Sequence, residues 1–273
     1  MSPVRKLERF TLPLTVGATR IEVSGFHRGG TGTPLVFLHG FGSTKEDYAD
    51  VVQQERLADH PVLAYDAPGC GASTCADLDA VSVPFLVSVA EQVLKVRQIE
   101  RFHVVGHSMG GLTALLLADG NPGRIASFTN IEGNVAPEDC FLSRQIATHS
   151  HDDPDEFLAR FAERVAGSRF YGGALYASSL PHKVRAAAVR TIFESMVDLS
   201  DHGKLLDRFL GLPAPKTFMY GEQNNTLSYL PALAEGGVEL AEIEHCAHFP
   251  MYSNPTQMWA HITDLVSRAD ADS

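Results

Sequence analysis

Along the first half of the chain, apolar runs alternate with segments of helical spacing, the order expected of helices packed on a largely parallel sheet. "RFTLPLTV" (9–16) and "IEVSGFHR" (21–28) alternate apolar and polar positions like an antiparallel pair, and the Gly-rich stretch 29–33 turns into "PLVFLHG" (34–40). A helix over about 44–56 leads to "PVLAYDAPG" (61–69), and a second helix over about 81–98 leads to "FHVVGHS" (102–108). A helix over 109–120 and the strand "RIASFTNIEG" (124–133) follow. "LVFL", "VLAY" and "HVV" are apolar at every position, as strands of a sheet covered on both faces must be.

From 134 to 205 the rhythm breaks. "DEFLARFAERVAG" (155–167) and "KVRAAAVRTIFESMV" (183–197) have helical periodicity with no apolar strand between them, which reads as a helical insertion after the sixth strand. The sheet resumes with "KTFMYG" (216–221) and "VELAEIEH" (238–245), and a last helix starts at Asn254 and Pro255, residues suited to the N-cap and first turn. The expected organisation is therefore an α/β core over 1–133 and 206–273, interrupted by helices over 134–205.

A length of 273 residues with 44% hydrophobic composition is enough for one sizeable core, alone or with an insert. The formal net charge of -11 argues against nucleic acid or an anionic membrane surface as a partner. A charged N-terminus and the lack of a long apolar run lead to the expectation of a soluble cytoplasmic protein. Cys70, Cys75, Cys140 and Cys246 have neither C-x-x-C spacing nor the density of a disulfide scaffold, and read as thiols.

Candidate chemistry begins at "GHSMGG". Its G-x-S-x-G lies between an apolar strand and a helical pattern, where a sharp turn lifts the Ser108 hydroxyl clear of the sheet. The bland alternative is an unreactive Gly/Ser-rich helix start. "HGFGS" (39–43) also follows an apolar strand, so the Phe41 N–H is placed to join that of Met109 in holding an oxyanion; His39 reads as structural. A serine hydroxyl needs a base, and "HCAHFPMYSNP" supplies His245 and His248 beyond the last strand, with His248 preferred. Asp66 in "YDAPGCG" reads as a brace for the neighbouring loop. The outline H-x-H-x-D at 149–153 hints at metal ligands, but Asp153 as an N-cap before Pro154 accounts for most of it, and no metal or cofactor is expected.

Taken jointly, "HGFGS", "DAPGCG", "GHSMGG" and "HCAHFPMYSNP" resemble the α/β-hydrolase family, in the family's order over residues 39–255. The resemblance implies a mostly parallel central sheet with helices on both faces, residues 134–205 as a helical cap, Ser108 as nucleophile, His248 as base, and the Phe41 and Met109 N–H groups as oxyanion hole. Ala247 departs from the glycine the family often has before this histidine. The family usually seats its acid in the turn after the strand equivalent to "KTFMYG", where this chain has Asn224. Some members place it after the preceding strand, and there this chain has Glu132. Glu132 is thus the first choice of acid, Glu222 the second, and a dyad without an acid the third.

The resulting expectation is a cofactor-independent serine hydrolase cleaving an ester, thioester, lactone or amide bond of a small, partly apolar acyl substrate. Carbon-carbon bond hydrolysis, cofactor-free perhydrolysis and a non-catalytic small-ligand receptor of the same fold are the alternatives. A serine at 108 argues against epoxide hydrolase or dehalogenase chemistry, which needs a carboxylate nucleophile. Phe141, Phe157, Phe161, Phe170, Tyr171, Tyr176, Phe193 and Met196 are candidates for the pocket lining, most of them expected to pack the inserted helices instead.

Overall fold

The computed structural model describes residues 6–148 and 153–272. The long amino-terminal hairpin is formed by β1 (Glu8–Val16) and β2 (Thr19–Arg28), turning at Gly17, whose φ of +59° suits glycine. Strands β3 (Leu35–Leu38), β4 (Val62–Tyr65), β6 (Phe102–His107) and β7 (Ile125–Ile131) are buried at every position, so both faces of the sheet are covered there. β8 (Lys216–Gly221) and β9 (Glu239–Ile243) complete it. The strand order is β1-β2-β4-β3-β6-β7-β8-β9, antiparallel at the β1-β2-β4 end and parallel from β4 onward. A two-residue strand β5 (Thr74–Cys75), unexpected from the sequence, pairs with β2.

The long helices of the first half are α1 (Val83–Val96), begun by the Ser82 side chain accepting the Phe85 N–H, and α2 (Met109–Gly120). Between β7 and β8 lie α3 (Pro154–Ala166), α4 (Gly173–Lys183), α5 (Val189–His202) and α6 (Leu205–Gly211). After β8 come α7 (Leu230–Glu235), the short α8 (Pro250–Ser253) and α9 (Pro255–Ala271), the last capped by the Asn254 side chain as expected. No helix among the described residues is long and apolar enough to cross a membrane.

Several expectations need correction. The helix expected over 44–56 is two 3-10 segments, Lys45–Gln53 and Glu55–Leu57. It is pinned at one end where Asp66 takes both the backbone N–H and the ammonium of Lys45, and at the other where Arg28 donates to the Leu57 and His60 carbonyls. The helix expected from 183 starts only at Val189, because Val184 is extended and bridged to Cys70 while Arg185 N–H donates to Gly69 O. α4 was not expected at all: Gly172 and Gly173 at its start and Pro181 near its end hide it from a propensity reading. In the 149–153 outline, His149, Ser150, His151 and Asp152 lie outside the described residues. Asp153 is the N-cap of α3, its carboxylate accepting from the Asp155 and Glu156 N–H groups.

Candidate active site

β6 ends at His107, and the chain turns into α2 through Ser108, whose φ of +52° and ψ of -119° are a conformation that costs an L-residue about 1 to 3 kcal/mol. The glycines around it are what allow the turn. A Cβ at Gly106 would lie 2.5 Å from the Gly110 carbonyl oxygen, and one at Gly110 would lie 2.1 Å from the Leu38 carbonyl oxygen. Ser108 N–H donates to Ile131 O at 2.9 Å, tying the turn to the end of β7. Although Ser108 occupies the N-cap of α2, its hydroxyl makes no capping bond, unlike the side chains of Ser82, Asp153 and Asn254 at theirs. The hydroxyl is therefore not spent on capping the helix.

Glu132 follows β7 directly, with a φ of +44°, and is only 7% exposed. A buried carboxylate is costly unless donors surround it, and here they do. Oε1 accepts the Gly221 N–H at 2.8 Å, the Asn224 amide bridges Oε1 at 2.9 Å and Oε2 at 2.8 Å, and His248 Nδ1 lies 2.7 Å from Oε2. Since an ionised carboxylate only accepts, His248 carries its proton on Nδ1 and leaves Nε2 with a lone pair. Glu222, the second choice of acid, is instead turned to exposed His245 at 3.7 Å.

Asn224 is the residue whose part the sequence hid. Read as an emptied seat, it is a donor clamped on the Glu132 carboxylate, which sits one strand away. Gly221 is equally specific, because a Cβ there would lie 2.3 Å from the Ala247 carbonyl oxygen, in the loop that carries His248. The same loop is held by His107, whose Nε2–H donates to the His248 carbonyl at 2.7 Å. Burial, with His248 beside it, holds the His107 pKa well below the ordinary histidine value, so the ring is a neutral donor rather than a base.

In the loop after β3, the Phe41 N–H and, at the first turn of α2, the Met109 N–H donate to no backbone carbonyl in the turns and loops described. His39 accepts the Ala67 N–H on Nε2 at 2.8 Å and donates from Nδ1 to Gly40 O at 2.8 Å, a fully structural histidine. Asp66 braces this loop as expected, joining Lys45 Nζ at 2.7 Å and the Ala72 N–H at 2.9 Å. Burial alone would raise its pKa, but His39, Lys45 and the Ala72 N–H together hold it below the usual carboxylate value.

Ser108, His248 and Phe41 line one cavity of about 20 Å³, room for roughly a single water. Beside it opens a cavity of about 440 Å³ that shares Asp139, Phe141, Leu142, His248 and Phe249 with the first and extends past Val165, Phe170 and Leu227. Phe141, half exposed, stands edge-on to the His248 ring at 5.4 Å, between the two spaces. Of the other aromatic candidates, Phe157 and Phe161 are buried in the packing of the inserted helices, and Phe193 joins them against the Phe41 ring. Tyr176 donates its hydroxyl to Phe41 O at 3.0 Å.

The chain matches the profile described as "Alpha/beta hydrolase family" over residues 35–261. It is 28% identical over 250 residues to the pimeloyl-(acyl-carrier protein) methyl ester esterase of Aeromonas hydrophila, covering 84% of this chain and 94% of that protein. It is 38% identical over 122 residues to the dihydrolipoyllysine-residue acetyltransferase component of the acetoin cleaving system of Pseudomonas putida, covering 41% of this chain and 31% of that protein. Indeed, the match spans only 28% to 42% of the length of the first four curated relatives. Among solved structures, one from a study of carboxylesterases of Nitrososphaera gargenis superposes with a TM-score of 0.76 at 15% identity, covering 96% of this chain and 100% of that one, a likeness of fold.

Proposed function

Because the chain belongs to the alpha/beta hydrolase family, we propose that it is a serine hydrolase cleaving an ester, thioester, lactone or amide bond of a small, partly apolar substrate through an acyl-enzyme. The observation that carries this reading is the 2.7 Å pairing of Glu132 with His248 Nδ1, on a histidine that shares a cavity with an uncapped, strained serine. A histidine fixed in this tautomer presents Nε2 as a general base, and a carboxylate behind it stabilises the imidazolium that forms. The ester named in the Aeromonas relative and the carboxylesterases named in the structural one agree with a carboxylic ester as the first substrate to try.

In the proposed reaction Ser108 Oγ attacks the carbonyl carbon while its proton passes to His248 Nε2. The carbonyl electron pair moves onto oxygen, where the Phe41 and Met109 N–H groups receive it. Collapse expels the alcohol, thiol or amine, which takes the proton from His248 and leaves an acyl-Ser108 ester. Water then attacks that ester, giving a proton to His248, and the second collapse releases the acid and returns the proton to Ser108. The larger cavity, mostly apolar in its lining, takes the acyl or leaving group, and residues 134–205 act as the cap above it. Four free cysteines among the described residues favour a reducing, cytoplasmic setting.

Turnover of short-chain p-nitrophenyl esters and labelling by a fluorophosphonate test the reading together. Wild type is expected to hydrolyse the ester and take one label, and Ser108→Ala to lose both, turnover by roughly 10⁴-fold or more. Labelling that survives Ser108→Ala removes the nucleophile. A wild type that turns over no member of a broad acyl panel, yet binds a small ligand tightly, replaces the enzyme with a receptor of the same fold.

A further inference from the structure

Ser108 follows β6 at the carboxyl edge of the sheet, and at the other end of that strand His103 meets a second polar cluster. His103 Nε2 is 3.1 Å from Asp270 Oδ1 near the end of α9, and His60 Nε2, in the loop before β4, is 3.4 Å from Asp270 Oδ2. All three residues offer a ligand atom within 4.8 Å of one another. Both histidines are buried, while the Asp270 side chain is 32% exposed and opens the cluster to solvent.

The hydrogen bonds behind the imidazoles turn both Nε2 atoms toward the carboxylate. His60 Nδ1 lies 2.8 Å from Thr33 O, a carbonyl that only accepts, so Nδ1 bears a proton and Nε2 is the nitrogen turned toward the carboxylate. At 3.4 Å either a proton or a metal ion must sit between Nε2 and the carboxylate. His103 Nδ1 lies 2.8 Å from Ser127 Oγ, a hydroxyl that can donate or accept: without a metal Nε2–H donates to Asp270, and with Ser127 as acceptor the Nε2 lone pair is open to an ion in the same direction. An imidazole that donates its far N–H to a carbonyl or hydroxyl while its other nitrogen faces a carboxylate is the outer arrangement of a metal-binding histidine.

We infer that His60, His103 and Asp270 form a binding site for one divalent transition-metal ion, zinc fitting best, at the edge of the sheet opposite the proposed active site. Ligand atoms in a tetrahedral zinc shell are about 3.3 to 3.5 Å apart; His103 and His60 approach different oxygens of Asp270, at 3.1 and 3.4 Å, and with all three ligand atoms within 4.8 Å a small rotation of the part-exposed carboxylate would gather them on one ion. Two imidazoles favour zinc over magnesium or calcium, and the exposed side leaves a fourth position for water. Ser108 lies five positions beyond His103, roughly 16 Å along a strand, so the ion would not touch the reacting atoms. It would fasten the end of α9 to the start of β6 and the loop before β4.

The test uses the full-length, tag-free chain, stripped with a chelator and titrated with Zn²⁺ or Co²⁺ alone. Expected are one equivalent of tightly held Zn²⁺, a Tm rise of about 5 °C, and for Co²⁺ the visible absorption of a tetrahedral N/O site. Asp270→Asn and His103→Gln should abolish all three without changing p-nitrophenyl ester turnover. Should His103→Gln fail to fold, Asp270→Asn, changed at a part-exposed position, decides alone. No stoichiometric binding by wild type, or the same binding and Tm rise in Asp270→Asn, overturns the site and leaves a proton on His60 as the cation that holds Asp270.

Discussion

The carboxyl edge of the sheet and the helices inserted between β7 and β8 meet at one site but are built by different means. At the sheet edge the proposed catalytic groups are fixed by main chain: Ser108 and Glu132 both have positive φ, and Glu132 is held in part by the Gly221 N–H. The inserted helices reach the site through side chains, Tyr176 on the Phe41 carbonyl and the Phe193 ring against Phe41. Backbone geometry is shared by every substrate that enters, whereas side chains can be exchanged without moving it. The sheet edge should therefore govern rate and the inserted segment selectivity.

The largest effect that could break this division is at Glu132. Glu132→Gln keeps the shape and the Gly221 contact but removes the charge behind His248. kcat for a short p-nitrophenyl ester is expected to fall roughly 10³- to 10⁴-fold with little change in KM. A near-wild-type kcat would mean that His248 works without an acid and that the sheet edge is less committed than its geometry implies.

Asn224→Ala is next. It removes the amide that spans both Glu132 oxygens, a hydrogen bond to a charged group, and should cost roughly 10- to 100-fold in kcat for all esters alike. Asn224→Asp should do worse than alanine, since it sets a second carboxylate against the first. An aspartate variant as active as wild type would restore the idea of an emptied seat.

That idea shows where sequence reading stopped. Buried strands were legible because a sheet covered on both faces needs apolar residues throughout, and Glu132 stood out as a charge ending such a strand. Ser108 was legible from its glycines, whose need for close approach is local. Asn224 was visible only as the absence of an acid, because its role depends on a carboxylate 92 positions away. α4 was lost to its glycines and proline, and the His60, His103 and Asp270 cluster joins three elements that no motif spacing connects.

On the side of the inserted segment, Phe141→Ala tests selectivity. Opening the wall between the small and large cavities should raise kcat/KM for bulky or long acyl esters over acetate by roughly threefold to tenfold, the range of a modest change in apolar pocket volume. An equal loss on every ester would place Phe141 with the rate-setting groups and blur the comparison.

The smallest expected effect lies on the seam between the two regions. Asp139 opens the inserted segment, accepting the Val135 and Ala136 N–H groups at 2.8 Å each and the hydroxyl of Tyr229, from the part of the chain after β8, at 2.7 Å. Burial, with Glu132 adding, raises its pKa to about 6 despite those bonds. A carboxyl whose folded pKa is raised stabilises the fold fully below its unfolded pKa and loses that contribution as pH climbs through the folded value. Because Asp139 is only part-buried, the change between about pH 5 and 7.5 is set at about 1 kcal/mol. Asp139→Asn can keep the three partners, its oxygen accepting from the two N–H groups and its amide donating to Tyr229, but cannot titrate. In urea unfolding, the stability difference between wild type and Asp139→Asn should move by that amount in favour of wild type at the lower pH. A difference independent of pH would mean that Asp139 ionises normally and that the seam is as well solvated as the outer surface of the inserted helices.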